Sequence, residues 1–78
     1  MESRRRKNEM PEVVIRLGES IRTIIEEKNL KQRNVAYDAG MDVENLRKYI
    51  KGTQEMKVST LLRIAEALKV PVNELLSF

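Results

Sequence analysis

Gln32-Arg33-Asn34-Val35-Ala36-Tyr37-Asp38-Ala39-Gly40-Met41-Asp42-Val43-Glu44-Asn45-Leu46-Arg47-Lys48-Tyr49-Ile50-Lys51-Gly52 is the stretch on which the fold turns. Between Gln32 and Ala39, the apolar residues Val35, Ala36 and Ala39 recur at the spacing of one face of a short helix. Gly40 then interrupts. Having no Cβ, it accepts positive φ, so the chain can turn sharply directly after the helix. Asp42 is a residue type that caps helix N-termini, and Met41 before it and Leu46 beyond it are placed to close over the first turn as a hydrophobic staple. A second helix runs from there to about Lys51, where Gly52 ends it. Two short helices joined by a glycine-containing turn have the helix-turn-helix arrangement.

Working outward, Pro11 marks the entry to order. Val14, Leu17, Ile21, Ile24 and Ile25 follow at three- and four-residue steps, with Arg16, Glu19, Arg22, Glu26 and Glu27 between them. That pattern predicts an amphipathic helix of about four turns, ending near Lys28 with Asn29 as a left-handed cap. Downstream, residues 53–57 are polar. Val58, Leu61, Leu62, Ile64, Ala65 and Leu68 then define a helix with a broad apolar face. Pro71 breaks this pattern and opens a last turn, Val72 to Leu76. Residues 1–10 are charged and aperiodic, the composition of a flexible arm. The expectation is an all-α fold of five helices and no strands, with residues 1–10 as a basic arm and 11–78 as the domain.

Composition agrees. A chain of 78 residues has room for one compact domain with a single modest core. Only 4% of its residues are aromatic, so Leu, Ile, Val and Ala must fill the interior, which favours helices over a sandwich. The formal net charge is +3 and the pI about 9.5, pointing to an anionic partner. Much of this surplus sits in the arm, where Arg4, Arg5, Arg6 and Lys7 face only Glu2 and Glu9, so the rest of the chain is almost neutral.

Several function classes lack their atoms. There is no histidine and no cysteine, hence no imidazole base, thiol nucleophile, disulfide or thiolate metal site. Gly18, Gly40 and Gly52 are too scattered to cradle a phosphate, and Glu26-Glu27 lies on an ordinary solvated helix surface. The chain is expected not to be an enzyme and to need no cofactor. No apolar stretch approaches the roughly 20 residues of a spanning helix, and Val13-Val14-Ile15 is too brief for a secretory core behind its basic start. A cytoplasmic location without membrane contact is expected.

On a helical wheel, the helix after Gly40 turns Leu46, Tyr49 and Ile50 inward, with Val43 at the border. The opposite face carries Glu44 and Lys48, flanked by Asn45, Arg47 and Lys51. Two readings fit. These are side chains able to reach base edges, Asn toward adenine, Lys toward guanine and Glu toward the cytosine amino group. Equally, they compose a solvated face, with Glu44 complementing the N-terminal helix dipole.

From Leu17 to Leu76 the chain resembles the phage repressor and Cro family, also called the xenobiotic-response-element (XRE) family of helix-turn-helix regulators. The matching residues are Leu17-Gly18 with Ile21-Arg22, Leu30 and Gln32 before Val35-Ala36, Gly40, Leu46 with Lys48-Tyr49, and Gly52. Leu61 to Leu68, followed by Val70 and Glu74-Leu75-Leu76, matches the family's last two helices. The resemblance implies a compact five-helix, lambda-repressor-like domain whose helices 2 and 3 form the helix-turn-helix. It also implies sequence-specific binding of double-stranded DNA by a transcriptional regulator, most simply a repressor. An antitoxin-like autoregulator, partnered by a toxin protein, is a variant of that expectation. A protein-interaction module that keeps the fold without DNA binding is the rival.

Carried over residue by residue, the resemblance gives Gln32 a phosphate contact, with Lys31, Arg33, Lys51, Thr53 and Lys57 as further phosphate-contacting positions. Base contact falls to Val43, Glu44 and Lys48, with Asn45 and Arg47 beside them. Val43 suits a thymine methyl or the core. The chain departs from the family where Lys31 and Lys57 replace the common Ser or Thr caps, where Ile50 replaces a common Glu, and at Glu44, whose carboxylate phosphates repel. The basic arm suits phosphates or a minor groove, or is a solubilising tail. Homodimerisation through Leu75, Leu76 and Phe78 follows from the resemblance; the alternative is that Leu75 and Leu76 close the monomer core.

Overall fold

Five helices follow one another along residues 10–78, the part of the chain that the structure, a computed structural model, describes. They are α1 Glu12–Glu27, α2 Gln32–Asp38, α3 Val43–Lys51, α4 Val58–Leu68 and α5 Val72–Leu75. The described residues contain no strand, and none of their helices is long and apolar enough to cross a membrane. Each helix boundary falls within a residue of where periodicity, Gly40, Gly52 and the two prolines put it. The basic arm, Arg4 to Lys7, lies outside the described residues.

The core is aliphatic throughout. Ile21 of α1, Leu46 of α3, Ile64 and Leu68 of α4 and Leu75 of α5 are its most deeply buried large side chains, joined by Val35, Ala36 and Ala39 from the α2 region. Each large one contributes about 1.5–3 kcal/mol relative to an exposed position. In α4 the structure corrects the expected face. Val58 and Leu62 are exposed, at 72% and 51%, while Thr60 is buried on the opposite border of the core. The helix is therefore turned toward Thr60, leaving one apolar edge in solvent.

Each of the first four helices ends the same way. A left-handed residue, Asn29, Gly40, Gly52 or Lys69, follows the helix, and the next amide reaches back five residues. Those bonds run from Leu30 N to Ile25 O, Met41 N to Ala36 O, Thr53 N to Lys48 O and Val70 N to Ala65 O, at 2.9–3.1 Å. They satisfy carbonyls that would otherwise be orphaned at the helix end. Asn29 takes the left-handed cap expected of it, with φ of 59°. Lys69, with φ of 61°, does the same without glycine's freedom or asparagine's local hydrogen bonding, at a cost of roughly 1–2 kcal/mol.

The N-termini are handled differently. Lys31 and Lys57 stand at the N-caps of α2 and α4, as expected, and neither supplies a capping hydrogen bond. Asp42 also stands at its expected N-cap, yet its side chain makes no capping bond to α3, which corrects the role assigned to it.

Candidate functional site

The position of α3 is set from behind. Leu46 and Ile50 bury one side of it. Against its last turn lies Gly18 of α1, so close that a Cβ there would sit on the Tyr49 and Ile50 carbonyls, 2.6 Å from the Ile50 oxygen. Only glycine allows two helix backbones to approach in this way. Gly52, just past α3, backs onto Ile15 of α1, where a Cβ would fall 3.0 Å from the Ile15 Cα. With α2 packed along it as well, α3 has little freedom to shift. The side turned away from Leu46 is uncovered: Glu44, Asn45, Arg47, Lys48 and Lys51 are all exposed.

The two flanks of this exposed side have different surroundings. On one, Val43 and Arg47 share an open depression with Lys31, Gln32 and Arg33 at the start of α2. Arg47 Nε donates to Gln32 Oε1 at 3.3 Å, and its Nη1 donates to Glu44 Oε2 at 3.4 Å, which is also an ion pair. The Gln32 carbonyl oxygen is thereby turned toward Arg47, and its amide N–H groups are left as donors. On the other flank, Asn45 and Tyr49 border a depression lined by Tyr37, Thr60 and Arg63. Arg63 Nε crosses from α4 to donate to the Ala39 carbonyl at 3.1 Å, a partly buried bond that satisfies the end of α2.

Charge is segregated. Between residues 31 and 57 six basic side chains face four acidic ones, whereas residues 12–28 carry three basic and four acidic, and residues 58–78 two of each. The surplus of the nearly neutral body therefore lies on α2, α3 and the loop after them. Lys31, Arg33, Lys48, Lys51 and Lys57 are all exposed there. Among the described residues, no group of acidic side chains could hold a metal ion.

A short helix pair with a positive exposed face on a rigid support is an arrangement that offers donors and cations to a polyanion. The family model of the Cro/C1-type HTH DNA-binding domain matches residues 20–78. The chain belongs to this family. A Cro/C1-type domain is a DNA-binding module and not an enzyme. Solved structures share the fold. The restriction-modification controller protein C.AhdI from Aeromonas hydrophila superposes with a TM-score of 0.77 at 24% identity, over 80% of this chain and 94% of that one. The clp gene regulator ClgR from C. glutamicum gives 0.81 at 23% identity over 85% and 86%, and the hypothetical transcription factor NHTF from Neisseria 0.78 at 21% over 90% and 88%. No curated protein sequence matches the chain.

Within the Cro/C1-type domain, the site residues expected from sequence fall into groups. Val43, Glu44, Asn45, Arg47 and Lys48 lie on α3, with Lys31, Gln32 and Arg33 beside Arg47. Val43 is half-buried and packs on the core, so much of its side chain is already occupied. Thr53 gives its hydroxyl proton to the Lys48 carbonyl at 3.1 Å, so donating to a phosphate requires that hydroxyl to turn away. Lys57 is exposed at the N-cap of α4. Leu75 is fully buried and belongs to the core, which removes it from the expected dimer surface; Leu76 and Phe78 remain 43% and 50% exposed. Sequence reasoning gave Gly18 only as a family match and not as the seat of α3, and it missed Arg63. A glycine inside an otherwise helical pattern was the available signal for the first, and the absence of a basic residue in the last turn of α2 was a faint one for the second.

Proposed function

We propose that this domain is a cytoplasmic transcriptional regulator that binds operator DNA sequence-specifically, with α2, the turn and α3 as its helix-turn-helix. The observation that carries the reading is the uncovered outer side of α3, flanked by the positive surplus and braced by Gly18. In this reading α3 enters the major groove. Lys48, Asn45, Glu44 and Arg47 approach base edges, with the exposed part of Val43 near a thymine methyl. Lys31, Gln32, Arg33, Lys51, Thr53 and Lys57 hold the flanking phosphates, Gln32 through the amide protons that its bond to Arg47 does not use. Repression by occupancy is the simplest consequence. The neighbours C.AhdI, a restriction-modification controller, and ClgR, a clp gene regulator, favour a regulatory role.

The exposed apolar side chains of α4 and the C-terminus, Leu62, Leu76 and Phe78, support homodimerisation. A two-fold pair would set two copies of α3 about 34–36 Å apart, one helical turn of DNA. Selection of bound duplexes from a random pool tests the whole reading: an enriched inverted repeat is expected, and an unenriched pool removes sequence-specific recognition. On the selected duplex, Lys48→Ala should weaken binding by roughly 1–3 kcal/mol and leave random DNA little affected, whereas Gln32→Ala should weaken both alike. Wild-type affinity for both variants would strip these residues of their roles.

A further inference from the structure

Glu44 has the least obvious place on a surface meant for phosphates. On α3 itself it is the one carboxylate, one turn from Arg47 and on the same exposed side as Lys48 and Lys51. Its bond to Arg47 is too exposed to matter for stability: the two side chains are 76% and 48% accessible, and surface pairs of this kind contribute about 0–1 kcal/mol. Geometry gives it another use. The Arg47 guanidinium is held at two separate atoms, Nε by Gln32 from α2 and Nη1 by Glu44 from α3. A guanidinium is a planar fork with five N–H donors, so bonds at two of them favour one plane and leave three donors on Nη1 and Nη2.

We propose that Glu44 is a positioning residue for DNA discrimination: with Gln32 it holds the Arg47 fork in one orientation and withholds it from indiscriminate attachment to phosphates. This rests on the DNA-binding reading above. A free arginine on a long flexible stem follows the phosphate backbone wherever it lies, and such contacts tighten binding to every sequence equally. A fork held in a fixed plane rewards only a duplex that places matching acceptors before it. Guanine does so through O6 and N7, and the three remaining donors suffice for that two-bond contact. The Glu44 charge also repels phosphate on all duplexes alike, which lowers affinity generally and cancels in the ratio, so discrimination rests on the orientation of the Arg47 fork. The link to Gln32 joins the two tasks, because the side chain whose amide protons are free for phosphate also fixes the side chain that faces the bases.

The test uses the full chain, a duplex selected by the wild type from a random pool, a mixed-sequence duplex, and a salt series. Glu44→Ala is expected to bind the mixed duplex several-fold more tightly, to steepen the salt dependence by close to one phosphate contact, and to lower the ratio of selected to mixed affinity about threefold. Glu44→Gln keeps a neutral acceptor for Arg47, so it should restore most of the ratio while retaining the tighter mixed-duplex binding. Arg47→Lys removes the fork, and in that background Glu44→Ala should no longer change the ratio. Melting temperatures of all variants should agree with the wild type. An unchanged ratio in Glu44→Ala, or an equal loss with and without Arg47, overturns the positioning role alone. Failure of the wild type to bind any duplex at low salt overturns the DNA-binding reading, and this proposal with it.

Discussion

α3 and α5 are both short, and the structure fixes them in opposite ways. α3 is held by backbone as well as by Leu46 and Ile50: the Gly18 face of α1 lies against its last carbonyls with no side chain between, and Gly52 backs onto Ile15. α5 is a single turn anchored by one buried residue, Leu75, with Leu76 and Phe78 outside. The difference teaches which surface needs geometric constancy. Hydrogen-bonding donors must meet their acceptors within a few tenths of an ångström, and backbone against backbone leaves nothing to repack. An apolar patch such as Leu76 and Phe78 gains from area rather than angle, so a single leucine suffices to hold it.

Substitutions can break this contrast or sharpen it. The largest effect should come from Gly18→Val, whose side chain must displace the Tyr49 and Ile50 carbonyls and should exceed the roughly 1–3 kcal/mol of ordinary overpacking. Denaturant unfolding measures it, and a fully stable variant would show that α3 is not clamped by α1. Next comes Leu75→Ala, expected to lose roughly 2–3 kcal/mol, the low end of the Leu→Ala range, because a one-turn helix can settle into the gap. DNA affinity per folded molecule should fall far less than for Gly18→Val, and an equal fall would erase the distinction between the two helices. The smallest effect is a gain. Lys69→Gly removes the left-handed penalty at the end of α4 and should raise stability by about 1 kcal/mol, read as a higher unfolding midpoint. A loss there would mean that the Lys69 side chain supports the α4–α5 junction.

Most of the fold was legible because its punctuation is chemical. Asn29, Gly40 and Gly52 are residues that accept the left-handed conformation, and each ends a helix where one was expected. Lys69 ends α4 in the same conformation and was invisible, since lysine has no preference for it. The α4 face was misjudged for a different reason. Val58, Leu62 and Thr60 all lie at the borders of the apolar arc, and hydrophobicity states which side chains are suited to burial without saying which are covered. Tertiary packing chose Thr60. At the candidate site, the exposed edge of α3 could be read from the wheel alone. The tie between Arg47 and Gln32 could not, because it joins residues fifteen positions apart whose meeting depends on the angle between α2 and α3. Asp42 shows the converse: the position was right and the bond is absent.

The bracing of α3 by Gly18 has a consequence for divergence and for engineering. The groups that locate this helix, Leu46, Ile50 and two carbonyls, are distinct from the groups it displays, so Glu44, Lys48 and Lys51 can be exchanged while its seat stays undisturbed. The outer edge thus behaves as a replaceable type slug in a rigid press: new lettering changes what is printed, and the alignment of the page is kept.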